Sequence, residues 1–222
     1  MNEKLYKLFR LQCADLLVLA DMEYNGMLYE TKAALKEAHS LQEKSDDLLR
    51  QFHLLVGNDS VSISSGDNIS SVLYGGIVKE EFRLAVGHYK SGTQKGEVKY
   101  GKEILEHTFP QLVKPIKDTE TSANKAGKKD TYSVAEDVLK KLKGKGKAKE
   151  IISCILEYRG LEKLRSTYLQ GWSDLIDKKG WTPGTIHGTL NQCVAVTGRL
   201  SSDSPNLQNA SKEVKKFLIT RY

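Results

Sequence analysis

Helical periodicity over long stretches constrains the fold of this chain more than any other feature. Apolar residues recur every three or four positions in three segments, each long enough for an amphipathic helix. We place these helices from Leu5 to the Asn25-Gly26 stop, from Thr31 to Val56 and from Lys147 to Ile176. A glycine directly after each of the first two patterns is typical of a helix C-terminus. The spacing therefore predicts a mainly helical protein.

Between the second and third helices the hydrophobic period changes. From Val78 to Val86 apolar residues alternate with charged ones, and a second extended stretch follows from Glu97 to Leu105 across a glycine-rich turn. Alternation on both sides of such a turn is typical of a β-hairpin. Residues 109–130 have the polar and proline content of a loop. The expected fold class is α+β, mainly α, with a β-hairpin insertion.

Two short helices are predicted from the chemistry of their first turns. The Ser64-Ser65-Gly66-Asp67 sequence can cap a helix that ends at Gly75-Gly76. Ser133 and Glu136 have the spacing of a capping box, in which each side chain bonds a backbone N–H at the other position. We expect this second helix to end near Lys143, where glycines interrupt the chain.

Composition excludes some classes of protein. The formal net charge of the 222 residues is +6, which favours a polyanionic partner. No apolar run approaches the roughly 20 residues that a bilayer requires, and no signal peptide is evident, so we expect a cytoplasmic protein.

The cysteines, Cys13, Cys154 and Cys193, lie far apart in sequence. We expect buried thiols there rather than a metal site or a disulfide framework.

A cluster of lysines surrounds Gly144 and Gly146, with no acid inside it before Glu150. Its members are Lys140, Lys141, Lys143, Lys145, Lys147 and Lys149. On charge alone, a solvated loop between two helices and a phosphate-binding loop are equally open. We call residues 140–149 the lysine-rich loop.

The segment of residues 197–209 has the most distinctive chemistry in the chain. It reads Thr-Gly-Arg-Leu-Ser-Ser-Asp-Ser-Pro-Asn-Leu-Gln-Asn. The guanidinium, hydroxyls and carboxamides that it carries are groups that bond phosphates, sugars and base edges. Gly198 allows a close approach of the backbone, and Pro205 fixes a turn. The plainer alternative is an ordinary loop rich in serine and glycine.

This segment resembles the entry to the palm of family A DNA polymerases, where the usual form is TGRLSSSDPNLQN. Upstream, residues 155–168 (ILEYRGLEKLRSTY) resemble the long thumb helix of that family, and residues 19–27 (LADMEYNGM) resemble the start of its thumb. The matches occur in the family's order. Two departures stand out: Asp203-Ser204-Pro205 replaces Ser-Asp-Pro, and Ala210-Ser211 replaces the usual Ile-Pro, which leaves the path after the segment open.

The resemblance implies a division into two domains. Residues 1–180 would form a thumb-like helical region, with an insertion at 77–130, and residues 181–222 would begin the palm. The insertion exceeds the plain bacterial pattern and resembles the thumb insertions of phage polymerases. It would hold DNA or a processivity partner.

The resemblance also implies which residues contact DNA. Arg199 would reach the minor groove near the primer terminus, and the carboxamides after it would contact primer or template. The thumb helix and the lysine-rich loop would follow backbone phosphates. The full set is Thr197, Arg199, Ser201, Ser202, Asn206, Gln208 and Asn209 in the 197–209 segment, Arg159, Lys163, Arg165, Ser166 and Thr167 in the thumb helix, and Lys140, Lys141, Lys143 and Lys145 in the loop.

The catalytic carboxylates of the family have no counterpart in this sequence. Polymerases hold two metal ions with converging carboxylates, and the family's first one lies in a DYSQxE segment that is absent here. We therefore expect no catalytic residue, no metal ligand and no cofactor in this chain, and Mg²⁺ only in a complete polymerase. His187 lacks a nucleophile or ligand at a useful spacing, so we expect it to face DNA or to be structural.

The first functional interpretation is one part of a family A DNA polymerase, a nucleotidyltransferase of DNA replication. This chain would bind primer-template DNA, and a palm-fingers polypeptide would supply catalysis, as in split polymerases of phages; it would then lie in the host cytoplasm. One rival is a non-enzymatic duplex DNA-binding module derived from a polymerase. Another is a scaffold whose insertion recruits a protein.

Overall fold

A computed structural model describes residues 3–88, 90–93, 96–127, 130–192 and 194–219 of the chain. The fold is α+β and mainly α, as expected. The chain divides into two compact units. The first unit comprises Met1–Ser45 and Gly160–Tyr222, and the second comprises Asp46–Arg159. This partition follows compactness and differs from the proposed thumb and palm boundaries, which stay a prediction.

The helices are α1 (Glu3–Asn25), α2 (Thr31–Val56), α3 (Gly66–Tyr74), α4 (Ser122–Lys125), α5 (Glu136–Lys141), α6 (Lys147–Glu162), α7 (Gly171–Lys179) and α8 (Lys212–Lys215). A π-helical segment (Lys163–Gln170) joins α6 to α7, and Leu207–Asn209 form a 3₁₀ turn. The strands are β1 (Met27–Tyr29), β2 (Gly76–His88), β3 (Val98–Phe109), β4 (Thr185–Ile186), β5 (Thr189–Asn191), β6 (Ser201–Asp203) and β7 (Leu218–Ile219).

The core of the first unit forms around β1. This strand is central in a three-stranded antiparallel sheet of order β4-β1-β7, with Leu28 opposite Thr185 on one side and Ile219 on the other. Its last residue, Tyr29, is 2% exposed and packs edge-on against Trp172, with ring centroids 5.6 Å apart. Such an aromatic pair adds about 0.5–1.5 kcal/mol beyond its buried area.

The third predicted helix changes its register in the middle. The chain stays helical from α6 through α7, but residues 163–170 adopt the wider π turn. Gly171 explains why this register is possible: a Cβ atom there would lie 2.5 Å from the carbonyl oxygen of Ser166, five residues earlier. The amphipathic pattern predicted the helix correctly but carried no signal for the change of register.

The core of the second unit packs α2 and α6 around α3. Phe52, Ile69, Leu73, Ile151 and Ile155 are completely buried there. The predicted cap of α3 is confirmed, because the hydroxyl of Ser65 accepts a hydrogen bond from the backbone N–H of Asn68. Burying this short helix on its apolar side fixes the position of the strand that follows it.

The predicted hairpin is confirmed as a long two-stranded ribbon, β2 paired with β3 in antiparallel register. Its base is anchored at Glu80, whose carboxylate accepts hydrogen bonds from Ser60 Oγ and from His107 Nε2, the latter at 2.9 Å. The Ser60 bond first, and then His107, hold the pKa of Glu80 below its usual value. A bulge follows Ala85, and beyond the base both faces of the ribbon are exposed.

One predicted cap and one predicted loop are wrong in detail. Helix α5 begins after Ala135 without a side-chain cap, whereas its end at Lys141, with Leu142 as the C-cap, agrees with the predicted end near Lys143. Ser133 is instead held by the surrounding loop, since its N–H donates to Thr119 and its carbonyl accepts from Tyr74 Oη. The loop predicted at 109–130 contains the short helix α4, which Thr121 caps.

The cysteine predictions have mixed outcomes. Cys154 is buried as expected, and burial raises the pKa of its thiol. The prediction for Cys13 is wrong, because no residue of α1 is buried among those described, and its apolar stripe is exposed. Cys193 lies outside the described residues. In the part of the chain that the structure describes, no helix has the length and apolar character to cross a membrane.

Candidate nucleic-acid interface

The 197–209 segment folds as an exposed loop, strand β6 and a 3₁₀ turn. Strand β6 pairs with β5, with Ser202 opposite Leu190. Ser202 is buried, and its hydroxyl donates to the carbonyl of Pro205 at 3.4 Å and accepts from the N–H of Leu207 at 3.3 Å. These bonds close the path between strand and turn. The hydroxyl of Ser202 therefore serves the shape of the segment itself.

Asn206 organises the turn that follows. Its Oδ1 accepts hydrogen bonds from the backbone N–H groups of Gln208 and Asn209, at 3.1 and 3.2 Å. All three carboxamide side chains are exposed. Gly188 lets the turn pack closely, since a Cβ atom there would lie 2.7 Å from Leu207 Cδ1. The turn thus presents three amide side chains from a fixed backbone.

The first part of the segment presents Arg199. Gly198 has φ +71°, a left-handed conformation that suits glycine, and its N–H donates to the carbonyl of Ala195 at 2.9 Å. Thr197 and Arg199 are exposed, and Ser201 is half-buried. Over the described ranges, Arg199 forms no hydrogen bond or ion pair. Its five guanidinium donors are available to an external acceptor.

The predicted contacts of the thumb helix differ in their availability. Lys163 and Thr167 are exposed on the π-helical segment. Arg165 donates to the carboxylate of Glu162 from Nε at 3.1 Å and from Nη2 at 2.6 Å. Ser166 is exposed, but its hydroxyl donates to the carbonyl of Glu162 at 2.7 Å.

Arg159 belongs to the second unit and is engaged there. Its Nη1 donates to the carbonyl of Val134 at 2.5 Å. Burial lowers the pKa of this guanidinium, and the carboxylate of Glu136 partly opposes that shift. The bond holds α6 to the segment that precedes α5.

The lysine-rich loop also lies in the second unit, and Lys140, Lys141, Lys143 and Lys145 are all exposed. Lys140 Nζ is 2.5 Å from Glu136 Oε1, one helical turn away. The loop packs tightly at Gly144, where a Cβ atom would lie 3.1 Å from Ile152 Cδ1. The backbone is therefore held on α6 while the lysine side chains extend from it.

Sequence reasoning missed Tyr168, the residue that connects the π-helical segment to the 197–209 segment. The hydroxyl of Tyr168, on the π-helical segment, donates to the carbonyl of Asn209 at 3.0 Å. No local pattern predicts a bond between residues 41 positions apart. His187 has a structural contact, because its Nδ1 donates to the carbonyl of Glu23 at 2.7 Å and its ring lies against Trp181.

The carboxylates of the described residues do not fit a metal-ion centre. Among them, no group of three or more His, Cys, Asp or Glu side chains is placed to hold a metal ion. Asp203, in the 197–209 segment, accepts a hydrogen bond from Asn191 Nδ2 at 3.0 Å.

Known proteins resemble this chain over most of its length. Residues 102–221 match the model of DNA polymerase family A. The chain is 29% identical over 192 residues to DNA polymerase I of Geobacillus stearothermophilus, covering 86% of this chain and 16% of that protein. It is 28% identical over 201 residues to DNA polymerase I of Chloroflexus aurantiacus, covering 90% of this chain and 17% of that protein.

A thermostable DNA polymerase I of Thermus filiformis is 42% identical over 131 residues, which are 59% of this chain and 13% of that protein. The chain thus spans less than one fifth of the length of these relatives. Its fold resembles the POL domain of Pol1 from M. smegmatis, solved in complex with DNA primer-template and dNTP. The TM-score is 0.56 at 19% identity, over 90% of this chain and 27% of that one.

Proposed function

Because the chain belongs to DNA polymerase family A, we propose that it binds primer-template DNA as one part of a replicative DNA polymerase. The observation that carries this proposal is the exposed Arg199, which has no hydrogen bond or ion pair with the residues that the structure describes, beside a turn that presents three carboxamides. Guanidinium and carboxamide groups bond the acceptors of sugars, phosphates and base edges. The 197–209 segment combines them on a backbone that its own hydrogen bonds hold in place.

Arg199, Asn206, Gln208 and Asn209 would make the contacts near the primer end, with Thr197 and Ser201 beside them. Ser202 would keep the shape of the segment, since its hydroxyl is already bonded within it. Lys163 and Thr167 would contact the DNA backbone from the π-helical segment, while the hydroxyl of Ser166 is already bonded to the carbonyl of Glu162. Arg165 and Arg159 are engaged by Glu162 and Val134, so their main role would be to hold these helices.

The lysine-rich loop would add an electrostatic contact without base recognition. Its lysines are exposed and flexible, and an ammonium group binds phosphate as a point charge. We propose that Lys141, Lys143 and Lys145 contribute more than Lys140, because Lys140 is paired with Glu136.

Nucleotide transfer would require a further polypeptide with the palm and fingers. Among the described residues, no group of three or more His, Cys, Asp or Glu side chains is placed to hold a metal ion, and the chain spans 16% of the relative from Geobacillus stearothermophilus. In this arrangement residues 1–180 are the thumb, with the insertion at 77–130, and residues 181–222 begin the palm. Mg²⁺ would bind on the partner polypeptide.

A second candidate function, recruitment of a processivity protein, is favoured by the β2–β3 ribbon. Phe82, Leu84, Val86 and Leu105 are 39–61% exposed on this ribbon. The register and the contact of Val86 with Gly101 place these four side chains on one face. An exposed apolar face of this kind suits a protein surface better than a phosphate backbone.

Fluorescence anisotropy with labelled DNA tests the proposed function. The purified chain should bind a duplex with a recessed primer end more tightly than a blunt duplex of the same length. Equal affinity for both would favour the duplex-binding module over the polymerase part. If the chain bound neither duplex at low salt, both DNA-binding interpretations would be contradicted. The scaffold that recruits a protein would then be the remaining interpretation.

A further inference from the structure

A buried tyrosine meets the helix at the point where its register changes. Tyr29 Oη, on β1, lies 3.3 Å from the carbonyl oxygens of both Tyr168 and Leu169. The carbonyl of Tyr168 also accepts the backbone N–H of Gly171, so Tyr29 adds a second donor where the helix leaves the π-helical register. Ser173 Oγ supplies a second donor to Leu169, at 2.8 Å. A tyrosine hydroxyl is protonated at neutral pH and can donate, and burial raises the pKa of Tyr29 further, to about 12.

Tyr168 connects the π-helical segment to the 197–209 segment. Its ring is 9% exposed and packs edge-on against Trp172, at 5.5 Å between centroids. Its hydroxyl donates to the carbonyl of Asn209 at 3.0 Å. One residue therefore accepts a bond from Tyr29 at its backbone and donates one to the turn with its side chain. The turn's last backbone group is fixed while the Asn209 side chain stays exposed.

Gly171 keeps the register that makes this possible. Any larger residue would bring a Cβ atom to 2.5 Å from the carbonyl oxygen of Ser166, which is backbone and cannot move aside cheaply. Relief of that contact would favour the α-helical register over residues 163–170. The side chain of Tyr168 would then turn away from the 3₁₀ turn. A register change of one residue rotates the side chains that follow it by about 100° around the helix axis.

We propose that Tyr168 is a positioning residue for primer-template binding. The π-helical register, held by Gly171 and Tyr29, aims its hydroxyl at Asn209 and thereby fixes the turn that presents Asn206, Gln208 and Asn209. A turn fixed before binding loses less conformational entropy when DNA arrives. This inference rests on the proposed function, since it assigns the turn a role only if the turn contacts DNA.

The test uses Tyr168→Phe, which keeps the ring and removes one hydroxyl. Tyr74→Phe is the matched control, because Tyr74 is also buried and its hydroxyl also donates to a backbone carbonyl, that of Ser133 in the second unit. Affinity for a recessed primer end should fall about fivefold in Tyr168→Phe, the usual effect of one hydrogen bond. Affinity for blunt duplex should not change. Tyr74→Phe should leave both unchanged.

Amide hydrogen exchange without DNA gives the second readout. Exchange at Gln208 and Asn209 should accelerate in Tyr168→Phe and in Gly171→Ala, and stay as in the wild type in Tyr74→Phe. A wild type that prefers the recessed end, together with an unchanged preference in Tyr168→Phe, would overturn this inference and leave the proposed function standing. A wild type without that preference would overturn both.

Discussion

Arg165 and Glu162 form a bidentate ion pair along the helix, with Nε–Oε2 and Nη2–Oε1 distances of 3.1 and 2.6 Å. The side chains are only 24% and 30% exposed. Lys163, between them in sequence, is exposed. Two cations that the sequence presents as equivalent phosphate ligands are therefore in different electrostatic states.

The first prediction contrasts these two cations. Lys163→Ala should flatten the slope of log K against log salt by about 0.9, the value for one lost phosphate contact. Arg165→Ala should flatten it much less, because Glu162 already neutralises that charge. Equal losses in the two alanine variants would show that the ion pair opens when DNA binds.

The second prediction concerns the lysine-rich loop. Lys143→Ala/Lys145→Ala should lower the affinity for all duplexes alike and flatten the salt slope by up to about 1.8, for two contacts. Lys178→Ala/Lys179→Ala, which removes two exposed lysines at the end of α7, is the matched control and should change the slope little. An unchanged slope in the first variant would mean that the loop is only a solvated connection.

The third prediction concerns activity. The purified chain, given a primed template, deoxynucleotides and Mg²⁺, should extend the primer no faster than a reaction without protein. Among its described residues, no group of three or more His, Cys, Asp or Glu side chains is placed to hold a metal ion. Addition of the matching palm-fingers polypeptide should restore extension. Robust extension by the single chain would contradict the proposed division of labour.

The fourth prediction concerns alkaline pH. Burial raises the pKa of Tyr29 from 10.0 to about 12, with an opposing hydrogen bond from Ser173. A raised acid pKa stabilises the folded state below pH 10, and this contribution disappears as pH rises from 10 to 12. The free energy of unfolding of the wild type should therefore fall by about 2 kcal/mol more than that of Tyr29→Phe over this range. Denaturant titrations at several pH values measure the difference; parallel curves would contradict it.

Local chemistry made much of the fold predictable. The bounds of α2, the Ser65 cap of α3 and the alternation along β2 depend on neighbouring residues, so the sequence contains them. The capping box at Ser133 failed because Thr119 and Tyr74 hold that residue by long-range bonds. Burial of Cys13 failed because periodicity shows that a helix has an apolar face, but not that anything covers it.

The candidate site was predictable in part for the same reason. Its residue types came from the resemblance of the 197–209 segment, but their states depend on tertiary contacts. Ser202 is used within its own segment, and Arg159 is bonded to Val134. The π-helical register depends on Gly171 and on Tyr29, which lies 139 positions before Tyr168, so no window of sequence contains it.

The most direct test of the central claim is the binding of Arg199→Ala to recessed-end and blunt duplexes. If Arg199 holds the primer end, the variant should lose about 1–3 kcal/mol of binding free energy for the recessed end and its preference over blunt duplex, with an unchanged melting temperature. Arg10→Ala, an exposed arginine on α1, should keep both. Retained preference in Arg199→Ala, or a large loss of folding stability with DNA affinity intact, would contradict the account.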